Sequence, residues 1–135
     1  MSRLLVIDDD KVFAKLITIF LQQRGHEVSF ALDGREGIEC FKAHQFDGVV
    51  CDIVMPDREG IETIREIRRL NGRVAIVAIS GGLSPVQAGN VDVLDLAELL
   101  GADLSLKKPF PLSELAAAID RALADRQTLP QSAAS

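Results

Sequence analysis

"LLVIDDDK", residues 4–11, sets four apolar residues directly against three carboxylates and a lysine. An apolar run without alternation reads as a strand buried on both faces. The acids behind it have no use in a core. Adjacent anions repel, and more strongly as the effective dielectric falls. Asp8, Asp9 and Asp10 therefore call for a cation or a partner supplied from elsewhere in the chain. Asp10 alone has a simpler reading, as the cap of a helix beginning at Lys11.

Outward from this stretch the pattern repeats. "RLLVID" (3–8), "HEVSFA" (26–31), "FDGVVCD" (46–52), "RVAIVAIS" (73–80) and a short run inside "ADLSLKKPF" (102–110) read as five strands. Amphipathic stretches separate them. In "KVFAKLITIFLQQRG", Val12, Leu16, Ile19 and Phe20 share a helical face and Gly25 is a natural stop. "DGREGIECFKAH" (33–44) starts behind Asp33, and "IETIREIRRLNG" turns Ile61, Ile64, Ile67 and Leu70 inward. "VDVLDLAELLG" (91–101) closes at Gly101, and "SELAAAIDRALADRQ" (113–127) carries a stripe of Leu115, Ile119 and Leu123. "GGLSPVQAGN" (81–90) reads as loop. One domain over residues 1–127 with a tail or linker remnant at 128–135 is expected. Five strands alternating with five helices predict an α/β sandwich whose parallel sheet is covered on both faces.

The 135 residues suffice for one real core, and 47% hydrophobic with 26% charged is ordinary for a globular chain. A net charge of -5 and a pI near 5.0 leave no broad basic field, so nucleic-acid binding by this chain alone is not expected. "REIRRL" (65–70) reads as the wet face of a helix. Cys40 and Cys51 have no metal-ligand spacing and read as buried thiols in a reducing compartment. With no signal-peptide pattern and no run of membrane-spanning length, a cytoplasmic protein without membrane contact is expected.

Ligands of such sheets bind outside the carboxyl ends of the strands. There fall Asp8 and Asp9, then Asp52, Ser80 and Lys108. Clustered carboxylates suit a hard divalent ion, Mg²⁺ or Mn²⁺, with Asp52 and Asp9 as direct ligands and Asp8 acting through water or holding Asp9. A carboxylate can also accept a phosphoryl group as an acyl phosphate. Its oxygens then need counter-charge: a metal on one, the Lys108 ammonium on another, the Ser80 hydroxyl on a third. Lys107 reads as solvent-facing.

In order, "LLVIDDD", "FDGVVCDIVMPDREG" with Gly60 four positions after Pro56, "VAISG" and "KPF" resemble the response regulator receiver domains of two-component signalling. The resemblance implies a flavodoxin-like (βα)5 fold with strand order 2-1-3-4-5. It makes Asp52 the phosphoacceptor, charged from a sensor histidine kinase or a histidine phosphotransfer protein. Asp8, Asp9, Asp52 and the Val54 backbone carbonyl become the metal shell, Ser80 the switch hydroxyl, and Lys108 the conserved-type lysine ahead of a cis bond to Pro109. Three features depart from the family pattern. Ser105 stands where an aromatic is usual, the segment between Ser80 and Lys108 is long, and Gly81 and Gly82 follow Ser80. With no output module legible, a stand-alone regulator, monomeric or weakly dimeric, is expected to signal through a partner protein.

Two other readings compete. A degenerate receiver would bind partners without being phosphorylated. A haloacid-dehalogenase-like phosphatase would use Asp8 as nucleophile and Asp10 as acid/base, leaving Asp52-x-x-Met55-Pro56 unexplained.

Overall fold

The computed structural model describes residues 2–53, 59–80 and 93–127. In chain order these form β1 (Arg3–Ile7), α1 (Lys11–Gln23), β2 (Glu27–Ala31), α2 (Gly34–Ala43), β3 (Gly48–Asp52), α3 (Glu59–Leu70), β4 (Ala75–Ser80), α4 (Val93–Leu100), β5 (Leu104–Lys107) and α5 (Leu112–Gln127). The strands make one parallel sheet of order β2-β1-β3-β4-β5. The apolar runs of β1, β3 and β4 occupy its centre, where every residue but Arg3 is buried. Strands β2 and β5, more polar, take the edges.

Successive strand residues point to opposite faces, and this divides the core in two. Leu5, Ile7, Val49, Cys51, Ile76 and Ala78 pack under α2, α3 and α4, meeting Phe41, Ile64, Ile67 and Ala97. Leu4, Val6, Val50, Val77 and Ile79 pack under α1 and α5, meeting Ala14, Ile17, Leu21, Leu115 and Ile119. The result is a three-layer sandwich.

Local signals set the element ends. Asp10 caps α1 by accepting from the Phe13 N–H (3.1 Å). Asp33 caps α2 by accepting from Glu36 N–H (2.7 Å), while the Glu36 carboxylate reaches back past the cap to accept from Leu32 N–H (3.3 Å). Gly25, at φ +96, ends α1 in a conformation that a side chain would strain.

Several expectations need correction. The buried face of α1 is Ala14, Ile17, Thr18 and Leu21, whereas Val12, Leu16 and Ile19 are exposed. Both sets have helical spacing, and contact with the sheet chooses between them. Thr18 can enter the core because its hydroxyl donates to the Ala14 carbonyl (2.7 Å). Leu70, at the end of α3, is exposed, and on α5 Ala122 is more deeply buried than Leu123. Cys40 is half-buried; only Cys51 lies in the core. Arg68, within the stretch expected to face water, is mostly buried and donates to the carbonyls of Gly101, Asn71 and Val74. The strands β2, β3 and β4 begin one or two residues later than their apolar runs, and α3 begins two residues earlier than its periodicity indicates.

Candidate functional site

The register of the sheet gathers the strand ends. Asp8 follows β1 and its N–H donates to the Ala31 carbonyl (3.1 Å). Asp52 closes β3 opposite Ile79, and Ser80 closes β4 opposite Lys107. The Lys108 N–H then donates to the Ser80 carbonyl (2.7 Å), which places the lysine beside the β3 end. The Lys108–Pro109 peptide is cis.

One ammonium meets two buried carboxylates here. Lys108 Nζ lies 3.3 Å from Asp8 Oδ2 and 3.4 Å from Asp52 Oδ2. Asp8 is fully buried and Asp52 and Ser80 nearly so, while Asp9 is exposed. Burial pushes the Asp8 carboxyl above its ordinary value, and the neighbouring Asp9 charge pushes the same way. The Asp10 N–H, which donates to Asp8 Oδ1 (2.9 Å), and the Lys108 ammonium act against that rise.

Carboxylate oxygens of Asp8, Asp9 and Asp52 all lie within 4.8 Å of one another. Hard oxygen donors this close, two of them out of water, suit a small divalent cation far better than they suit each other. Such an ion would neutralise the carboxylates and coordinate oxygens of an anionic ligand. Asp10 stands apart from this cluster as the cap of α1, a role that occupies the carboxylate which the phosphatase reading needs as acid/base. Val54, Met55, Pro56 and the 81–92 segment lie outside the described residues.

Gly60 shows why the stretch after β3 is punctuated as it is. A Cβ there would collide with the Asp52 carbonyl and the Ile53 backbone, so α3 can begin this close to the end of β3 only with glycine. The aromatic usual three residues before the lysine is absent. Ser105 instead donates its hydroxyl to Glu98 Oε2 of α4 (2.5 Å). Two groups went unnoticed in the sequence. Phe13 presents its ring to Lys108 Nζ, 4.0 Å from the centroid. At the opposite edge of the sheet, Asp103 binds Arg68 and Arg126.

The model of the response regulator receiver domain matches residues 4–120. The chain belongs to this family. Among curated relatives, the receiver is 36% identical over 126 residues to the response regulator MprA of Mycolicibacterium vanbaalenii, covering 93% of this chain and 52% of that protein. It is 33% identical over 117 residues to the transcriptional regulatory protein DltR of Streptococcus agalactiae, covering 87% and 50%. The chain thus spans about half the length of these relatives. Among solved structures, a receiver domain protein from Clostridium thermocellum superposes with TM-score 0.83 at 30% identity, over 96% of this chain and all of that one. A CheY-like receiver from Methanospirillum hungatei gives 0.83 at 24% identity over 94% and 97%, a likeness of fold. Receivers are signalling modules that take phosphoryl groups from histidine kinases and bind Mg²⁺ at an acidic pocket, and the Asp cluster here can hold such an ion. No helix among the described residues is long and apolar enough to cross a membrane.

Proposed function

We propose that this receiver is a phosphorylation-controlled switch whose acceptor is Asp52. The observation that carries the reading is the single Lys108 ammonium shared between Asp52 and Asp8 at the carboxyl edge of the sheet. An acceptor carboxylate needs a cation that can follow the phosphoryl oxygens once they arrive, and Lys108 is already within reach. In the transfer, an Asp52 carboxylate oxygen attacks the phosphorus of a phosphohistidine. The N–P bond breaks, an O–P bond forms, and the imidazole leaves with its electron pair. Asp8, Asp9, Asp52 and the Val54 carbonyl would hold Mg²⁺ or Mn²⁺, which supplies charge neutralisation to the phosphoryl group. Lys108 pairs with one phosphoryl oxygen and the Ser80 hydroxyl donates to another. Because Ser80 leads into the segment before α4, its movement would be passed to that helix.

The donor in this reading is a sensor histidine kinase or histidine phosphotransfer protein. The output is a protein contact, made by the domain over residues 1–127 alone or with whatever follows the 128–135 tail. Intact mass after incubation with acetyl phosphate tests it. Wild type should gain one phosphoryl group only with Mg²⁺, and Asp52→Asn should gain none. An unlabelled wild type would sink the reading in favour of a binding-only receiver. A label that survives Asp52→Asn and vanishes in Asp8→Asn would mark a phosphatase-like nucleophile instead.

A further inference from the structure

Lys108 has a third neighbour besides its two carboxylates. Its Nζ sits 4.0 Å from the centroid of the Phe13 ring, well inside the range in which a ring face attracts a cation. Phe13 lies in the first turn of α1, and Lys108 lies just past β5. Two contacts fix the ring. The Phe13 N–H donates to Asp10 Oδ1 (3.1 Å), so the cap of α1 sets the backbone that carries it. Phe110, two residues beyond the lysine, meets the ring edge-on at 6.2 Å and 75°. The circuit closes on itself, because the Asp10 N–H donates to Asp8 Oδ1 while Asp8 Oδ2 accepts from Lys108.

We propose that Phe13 is a positioning residue which holds the Lys108 ammonium over the acid pocket through the face of its ring. A lysine on a flexible four-carbon stem has many places to go. Two carboxylates attract it, yet one of them changes identity when it accepts a phosphoryl group. A third carboxylate would restrain the ammonium only by adding a negative charge that repels the incoming phosphate. An aromatic face attracts the cation without adding that charge. Plain filling of the core does not account for the ring, since a leucine would fill a half-buried position on α1 without presenting a face to the ammonium. The functional half of this inference rests on the assignment of Lys108 to the phosphoryl oxygens.

Wild type, Phe13→Leu and Phe13→Tyr separate the roles, because leucine keeps the apolar bulk and tyrosine keeps the ring. The first readout is independent of phosphorylation. Ring current should move the Lys108 side-chain methylene protons upfield in wild type and Phe13→Tyr, and Phe13→Leu should return them to ordinary positions. The second is the initial rate of Mg²⁺-dependent acetyl phosphate labelling, expected to fall roughly 3- to 30-fold in Phe13→Leu and to recover in Phe13→Tyr. Unshifted Lys108 protons in wild type would overturn the inference, as would a shift or a labelling rate unchanged in Phe13→Leu. If Phe13→Leu does not fold, the wild-type and Phe13→Tyr shifts decide the matter. A wild type that takes no label fails the phosphoacceptor reading alone, and the Lys108 shift still decides the contact.

Discussion

Asp8 sits at the junction of the site's electrostatics. It is fully buried, and the cost of keeping a carboxylate out of water raises its pKa despite the Asp10 N–H and the Lys108 ammonium. A carboxyl that holds its proton more tightly folded than unfolded makes stability fall as pH rises from the ordinary carboxylate range through the raised value. Ionising this carboxyl therefore works against the fold, a tension expected where binding and not folding selects the residue. Asp8→Asn should melt at a higher temperature than wild type at pH 7. The increment should shrink as pH falls through the ordinary Asp value toward about 3, where Asp8 is protonated in both states. Thermal melts at several pH values check this, and an increment that does not depend on pH would contradict it. Its two neighbours do different work: Asp9 is exposed beside the metal-competent oxygens, and Asp10 is spent on the helix cap that orients Phe13.

At the scale of elements, α1 is instructive because it is apolar on more than one side. Ala14, Ile17 and Leu21 enter the core, while Val12, Leu16 and Ile19 face outward at 78%, 49% and 54% exposure. Urea denaturation should separate the two stripes. Ile17→Ala should cost about 2–5 kcal/mol, by lost burial and a cavity. Leu16→Ala should stay within about 0.5 kcal/mol, as surface changes do. Helix α4 is tied to the sheet by a side-chain hydrogen bond. The Ser105 hydroxyl on β5 donates to Glu98, so a polar link joins β5 to α4 where an aromatic ring is usual. With Ser105 in that place, a rotating ring there is not available to link β5 with α4.

Across the whole molecule, the functional edge has a structural counterpart at the other end of the sheet. Asp103 Oδ2 accepts from Arg68 Nη2 (3.2 Å) and the Ile76 N–H (2.8 Å), and its Oδ1 accepts from Arg126 Nε (2.8 Å). Arg68 and Arg126 also donate to carbonyls of Gly101 and Gly72, so α3, α5, β4 and the turn before β5 are tied at one carboxylate. Asp103→Ala should cost about 3–5 kcal/mol, since it removes the carboxylate that neutralises two mostly buried guanidinium groups and accepts from a strand N–H. The same variant should still take a phosphoryl label under conditions where it is folded, because the network lies away from the acid pocket. Denaturant melts and intact mass read these two expectations. The order of elements, the parallel sheet and the convergence of Asp8, Asp9, Asp52, Ser80 and Lys108 at one edge were legible in the chain. Periodicity, caps such as Asp10 and Asp33, and position at a strand end are properties of neighbouring residues, and they survive without knowledge of the fold. Three things were decided only by tertiary structure: which stripe of α1 is buried, that Arg68 leaves the solvent for Asp103, and that the ring of Phe13 meets the ammonium of Lys108. Each depends on which distant segment a side chain meets, and spacing along one helix cannot report what packs against it.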